Sequence, residues 1–264
     1  MLETLREIGR ELLRETAAMF RERPPLGGPP PPRGAAGDRT FPVDRRAEEI
    51  IISGLGRRGE PLTVISEEAG RVDLHGGGGR LVLVDPIDGS KNAISGIPFY
   101  CASIAVASGG RLRDVDLAYV INLVSAEEFH ARRSGGAWLD GRPISPQADD
   151  VFRLAAYEAQ SPGRDIGLLL PLLSRFRKTR CLGAVALDLA YLAAGSISVF
   201  VSPAPSRSFD FAAGWLLVEE AGGVMTDLEG RDLGDTPLGL GRTSAIIASG
   251  NARLHESALA ILRG

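Results

Sequence analysis

Leu2, Leu5, Ile8, Leu12, Leu13, Met19 and Phe20 recur at helical spacing among Glu and Arg, so residues 2–22 read as one amphipathic helix stopped by Pro24 and Pro25. The stretch PPLGGPPPPRGAAGD that follows lacks amide donors at its prolines and reads as a loop, either a plain linker or, being close in sequence to Asp44, an active-site flap. From Pro42, the apolar positions Val43, Ala47, Ile50 and Ile51 predict a second helix ending near Gly54. Short β runs then recur: LTVI at 62–65, LVLV at 81–84, CASIAVAS at 101–108, DVDLAYVI at 114–121 and a hairpin around Ala137 to Ile144, together a largely antiparallel sheet. GGGG at 76–79 lacks the lysine and helix of a nucleotide loop and reads as a flexible hairpin tip. After Pro146 the pattern alternates: strand RLAAYEA, helices at 166–176 and 184–194, strand ISVFVS, a helix at 211–221, strands GVMT and SAIIAS, and a final helix at 252–262. The chain thus divides into an α+β part, 1–146, and an α/β part, 147–264.

Composition narrows the classes. With 264 residues, 44% hydrophobic, 24% charged and a net charge of −3, the chain can bury a large core, and it offers no basic stripe for a nucleic-acid polymer or an anionic membrane. Its apolar runs are far shorter than the roughly 20 residues of a membrane helix, and its charged first helix is unlike a signal peptide. The expectation is a cytoplasmic protein. Cys101 and Cys181 sit in apolar surroundings without metal-ligand spacing, so both read as buried reduced thiols. His75, His130 and His255 read as structural or solvent-facing, and Tyr100, Trp138, Tyr191 and Trp215 as core or interface residues.

The segment LVLVDPIDGSKN carries the chemistry. An apolar strand runs out in two carboxylates three residues apart; Pro86 sets a turn after Asp85, so that Asp85, Asp88 and the carbonyl of Ile87 can converge as an oxygen-rich cation pocket. Gly89 and Ser90 then offer backbone N–H groups at a helix start, suited to phosphate. Alone, DPID also reads as an Asp-Pro turn capped by Asp88 and Ser90. Two other segments shift that balance. Strand LTVI runs into Glu67 and Glu68, which would otherwise be solvated turn acids, and Asp210 heads an apolar helix, where capping is the plainer role.

The combination of SEE at 66–68, DPIDGS at 85–90 and FDFAAGWLLVEEAGG at 209–223 resembles the inositol monophosphatase family. Two leading helices, a TxxxD-like segment from Thr40 to Asp44 and the small-residue helix LGAVALDLAYLAAG extend the resemblance over nearly the whole chain. It implies a five-layer αβαβα sandwich and, commonly, a homodimer. By that resemblance Glu67, Asp85 and the Ile87 carbonyl bind one Mg²⁺, and Asp85, Asp88 and Asp210 a second; Glu68 stands nearby for a weaker third ion or a substrate contact. Mn²⁺ as a substitute and Li⁺ as an inhibitor belong to the same expectation. Asp44 and Ser90 match the pair that orients and helps deprotonate the attacking water, so Ser90 is not a nucleophile. Gly89 and Ser90 hold the phosphate, and Gly183 and Ala184 are candidate substrate contacts.

Departures from the family pattern bear on substrate. Animal members place an acid seven positions before the residue matching Asp210, where this chain has Pro203, which weakens a strict inositol preference. Arg207 is a candidate for a second phosphate or sugar hydroxyls, or else an exposed, solvated arginine. The compact chain, SEEAG and GIPFY are most similar to members that hydrolyse both inositol monophosphate and fructose 1,6-bisphosphate, and this dual activity on a small phosphorylated metabolite is the expectation. In the proline-rich loop, Asp38 is the only carboxylate, so a metal role for that loop is in doubt. The rival readings are a 3′-phosphoadenosine 5′-phosphate phosphatase, a noncatalytic ligand-binding relative and a purely structural dimer.

Overall fold

The computed structural model describes residues 1–21, 31–37 and 39–264. The N-terminal part runs α1 (Leu2–Arg21), α2 (Pro42–Gly56), β1 (Leu62–Ser66), β2 (Gly70–Leu74), β3 (Arg80–Asp88), α3 (Ser90–Ser95), β4 (Cys101–Ala107), β5 (Val115–Asn122), β6 (Glu128–Arg132), β7 (Gly136–Leu139) and β8 (Arg142–Pro143). The rest runs β9 (Leu154–Tyr157), α4 (Pro162–Leu173), β10 (Lys178–Arg180), α5 (Val185–Ala193), β11 (Val199–Arg207), α6 (Ser208–Ala221), β12 (Val224–Thr226), β13 (Arg242–Ser249) and α7 (Ala252–Arg263). Among the described residues these strands form two sheets, ordered β2-β1-β3-β4-β5-β6-β7-β8 and β10-β9-β11-β13-β12.

Alternation along the strands builds the layers. Side chains of a strand point to opposite faces in turn. Val82 and Val84 of β3 therefore join Leu5, Ile8 and Leu12 of α1 and Ile50 and Ile51 of α2 on one face. Leu83 points the other way, into a cluster with Leu187 and Leu189 of α5 and Phe211 and Leu216 of α6. Phe200 of β11 and Ile246 of β13 close that middle layer from the far side, while Val199, Val201 and Ile247 pack outward on Leu169 and Leu172 of α4 and Leu254 of α7. The result is the αβαβα sandwich. Its middle helices α5 and α6 carry apolar residues on every face, interrupted by Asp188 in α5 and by acids at the two ends of α6, as burial between two sheets favours.

Several expectations are corrected. Residues 76–79 are not a hairpin tip: β2 and β3 are both neighbours of β1, so the glycines carry the chain past the start of β1. At Gly79, φ is +59° and a Cβ would stand 2.3 Å from the Pro61 carbonyl oxygen. Strand β3 does not stop at Val84 but continues to Asp88, and β11 continues through Pro203 and Pro205 to Arg207 across register shifts on β13. Arg207 is accordingly buried, not exposed. Cys101 is buried but Cys181 is exposed, because it lies in the surface connection between β10 and α5. Strands β2, β6 and β10 had no clear signal in the chain. Residues 22–30, with most of the proline-rich stretch, and Asp38 lie outside the described residues.

Candidate active site

Asp85 and Asp88 sit three residues apart, a spacing that sends two side chains of a regular strand to opposite faces. A bulge resolves this. Asp85 pairs with Ser103 and Asp88 with Cys101, so three steps on β3 match two on β4, and both carboxylates turn toward the middle layer. Pro86 falls inside the irregularity, where a missing amide donor disturbs no regular ladder. Both residues are buried, at 4% and 9% exposure. Asp88 Oδ2 accepts the Ala186 N–H at 2.6 Å, and Asp85 Oδ1 is buried with no hydrogen-bond partner among the described residues.

Two further acids come from helix starts. Asp44, in the first turn of α2, accepts the Phe41 N–H on Oδ2 at 2.7 Å and the Ser90 hydroxyl on Oδ1 at 2.8 Å. Ser90 Oγ is also 2.8 Å from the Ile87 carbonyl, and its one proton serves either acceptor. Asp210, in the first turn of α6, accepts the Arg207 N–H at 2.8 Å. Glu67 and Glu68 sit in the turn from β1 to β2, where their carbonyls accept the N–H groups of Ala36 and Ala35. Glu68 also takes the Thr40 hydroxyl.

The electrostatics tie these acids into one pocket. Burial holds the Asp85 carboxyl well above the usual range, and the charges of Glu67, Asp88, Asp210 and Asp44 add to the rise. Burial likewise raises Asp88, against the Ala186 and Val185 N–H groups and with Asp210 and Glu158. Asp44 is pushed up to about 6 and Glu68 to about 7, both chiefly by burial. Carboxyl and carbonyl oxygens suit a hard divalent cation, and an orphaned buried oxygen amid mutually repelling acids is what such an ion relieves, so these residues fit Mg²⁺. Among the described residues, however, no three ligating side chains are gathered closely enough to hold an ion as they stand.

Beside the acids lies a second surface. Gly89 has a φ of +90°, and a Cβ there would meet the Phe99 carbonyl oxygen at 3.0 Å and Ala184 Cβ at 3.2 Å, so only glycine keeps its backbone open. Ala184 and Gly183 thus pack against the start of α3, joined to it by Asn92, whose Nδ2 donates to the Leu182 carbonyl at 2.6 Å. Arg207 Nη2 donates to the Ala36 carbonyl at 2.6 Å, tying the segment before α2 to the start of α6.

A model of the inositol monophosphatase family matches residues 33–264 of this chain. The chain belongs to the inositol monophosphatase family. A fructose-1,6-bisphosphatase/inositol-1-monophosphatase of Methanothermobacter thermautotrophicus is 35% identical over 239 residues, 87% of this chain and 85% of that one. A Nus factor SuhB of Pseudomonas aeruginosa is 36% identical over 205 residues, covering 74% of each chain. The solved suhB extragenic suppressor protein of Bartonella henselae superposes with a TM-score of 0.81 at 27% identity, over 99% of this chain and 98% of that one. Membership makes this chain a phosphatase of small phosphate monoesters.

Two residues of this inositol monophosphatase relative escaped the sequence reading. Glu158 follows β9 and reaches Gly183, with its carboxyl pushed up to about 7 by burial. Asp188, inside α5, is fully buried with both oxygens unpartnered among the described residues. A lone acid in the apolar run VALDLAYLA was the available signal for Asp188; Glu158 carried none.

Proposed function

We propose that this chain hydrolyses phosphorylated polyols and sugars, inositol monophosphates and fructose 1,6-bisphosphate first among them, in a Mg²⁺-dependent reaction with water as the nucleophile. The observation that carries the reading is the convergence of buried and half-buried acids on Asp85, whose Oδ1 has no hydrogen-bond partner among the described residues, beside the Asp44–Ser90 hydrogen bond. In this reading Glu67, Asp85, the Ile87 carbonyl, Asp88 and Asp210 hold Mg²⁺. Once bound there, Mg²⁺ would supply charge neutralisation for the phosphoryl group and favour deprotonation of the attacking water.

The chain's own residues do the rest. Gly89 and Ser90 offer backbone N–H groups to the phosphate. Ser90, held by Asp44, orients the water and passes its proton toward the Asp44 carboxylate, whose burial raises its basicity. No covalent intermediate is involved. Residues 1–146 supply Asp44, Glu67, Asp85 and Asp88, and 147–264 supply Asp210; the active species is a cytoplasmic homodimer.

The test is phosphate release from inositol 1-phosphate, fructose 1,6-bisphosphate and 3′-phosphoadenosine 5′-phosphate, each with Mg²⁺ and with EDTA. Mg²⁺-dependent release from the first two supports the reading. Release from the nucleotide alone moves the substrate class. No release from a folded protein favours a noncatalytic role, which a relative named as a Nus factor keeps in view.

A further inference from the structure

Glu158 stands just beyond β9, where that strand runs parallel to β11, and its N–H donates to the Val201 carbonyl at 3.0 Å. Its side chain is half-buried. Oε1 accepts the Gly183 N–H at 3.1 Å, and among the described residues Oε2 has no hydrogen-bond partner and no lysine or arginine pairs with the group. Lys91, next to Ser90, and Asp210 both act on the carboxylate, the first favouring its charge and the second opposing it. Glu158 therefore lies against the Gly183 connection, within electrostatic reach of Lys91 and Asp210.

The path from Glu158 to the phosphate side is short. Gly183, held by Glu158, precedes Ala184, which packs on Gly89, and the Ala186 N–H reaches Asp88. Asn92 fixes this connection by donating to both Leu182 and Phe99 carbonyls. On the adjacent strand, Ser202 and Pro203 bring no charged group to the same level, and Ser202 Oγ stands 3.4 Å from the Ala204 carbonyl. Burial and the charge of Glu158 hold the Asp188 carboxyl well above the usual range, and neither of its oxygens is hydrogen-bonded among the described residues. An ionised Glu158 disfavours an anion at this wall, with Lys91 offsetting part of its charge. It suits a neutral donor.

We infer that Glu158 determines substrate specificity, its Oε2 accepting a hydroxyl from the alcohol part of a phosphorylated polyol or sugar whose phosphate lies at Gly89 and Ser90. The inference rests on the phosphatase reading above. Above about pH 7, where Glu158 is ionised, its carboxylate only accepts hydrogen bonds, so it selects a hydroxyl, disfavours a second phosphate at this wall and leaves an unpaired acid when the substrate lacks the hydroxyl. A doubly phosphorylated sugar must then direct its other phosphate away from Glu158.

The test compares inositol 1-phosphate with p-nitrophenyl phosphate, which has the same phosphoryl group and no hydroxyl, at saturating Mg²⁺. Glu158→Gln keeps an oxygen for the Gly183 N–H and replaces the free acceptor with an amide. It should lower kcat/KM for inositol 1-phosphate about tenfold more than for p-nitrophenyl phosphate, mostly through KM, as loss of a hydrogen bond to a charged group predicts. Glu158→Asp, which withdraws the carboxylate by one methylene, should skew the ratio in the same direction and guards against a misfolded glutamine variant. Equal losses on both substrates would make Glu158 a mere support for Gly183 and overturn the inference. So would an unchanged ratio, or a raised Mg²⁺ requirement with both substrates. A wild-type chain releasing phosphate from neither substrate would sink the phosphatase reading itself.

Discussion

On the outer helices, acids meet arginines in water: Arg46 reaches Glu15 at 2.9 Å and Glu49 at 3.3 Å, and Arg57 reaches Glu11 at 3.0 Å. At the end of β3, Asp85 and Asp88 are buried and no lysine or arginine among the described residues pairs with either. The titrations diverge accordingly. Arg58 lowers the exposed Glu60 and Arg153 lowers the exposed Asp149, whereas burial raises Asp85, Asp88 and Asp44. A nearly balanced net charge conceals this segregation. Burying acids beside acids costs stability, and a fold keeps such a group where a ligand supplies the missing positive charge.

The largest test of that contrast removes one buried acid. Asp85→Asn should lower Mg²⁺-dependent phosphate release about 10³-fold, the scale of losing one transition-state electrostatic partner. The melting temperature without metal should hold or rise, since the change relieves repulsion from Glu67, Asp88 and Asp210. Retained turnover, or a melt lowered by many degrees, would mean that Asp85 is structural. Asp44→Asn follows, with a fall in kcat of about 10²-fold, typical of a lost general base, and little change in the Mg²⁺ concentration giving half-maximal rate. The Asp44 carboxyl is pushed up to about 6 in the metal-free chain and bound Mg²⁺ would bring it lower, so the wild-type rate should decline as pH falls below 6. A wild-type rate with no acidic decline above the pH at which the protein unfolds would remove Asp44 from proton transfer.

How much of this was legible in the chain depends on locality. The 3.6-residue period of α1 and the apolar run of β3 are local, and so are Pro86, Asp88 and Gly89; each could be read directly. The bulge that turns Asp85 and Asp88 to one face depends on β4 pairing, which no window of residues records. The crossover at 76–79 needed the order of strands, since a run of glycines looks the same in a hairpin and in a passage past β1. Strand β2 was missed because its GRVDL alternates with exposed polar positions at the sheet edge. Glu158 was missed because its meaning comes from Gly183, 25 residues later in the chain.

A third prediction concerns stability without Mg²⁺. Asp44 at about 6 and Glu158 at about 7 both bind protons more tightly folded than unfolded, where carboxyls titrate near roughly 4. Their stabilising contribution is complete below that unfolded value and lost as pH rises through 6 and 7, so the metal-free protein should melt at higher temperature at pH 5 than at pH 8. Mg²⁺ at a hundredfold excess over its dissociation constant should restore about 2.7 kcal/mol at pH 8 through binding to the folded state alone. Scanning calorimetry in EDTA and in Mg²⁺ measures both. Greater metal-free stability at pH 8 than at pH 5 would refute the contrast with the exposed acids.

The smallest effect belongs to the other side of the comparison. Arg46→Ala removes both of its ion pairs, yet Arg46 is 43% exposed and its partners Glu15 and Glu49 are 46% and 68% exposed. Water already solvates all three groups, and ordering long side chains offsets much of the attraction, so the loss should stay below about 1 kcal/mol. Screening shortens the reach of exposed charges to about 3 Å at 1 M salt, so the difference from wild type should shrink as salt is added. Urea melts at low and high salt decide the point. A loss of several kcal/mol that persists in salt would show that these helix charges are coupled to the core, and burial alone would no longer separate the two populations of acids.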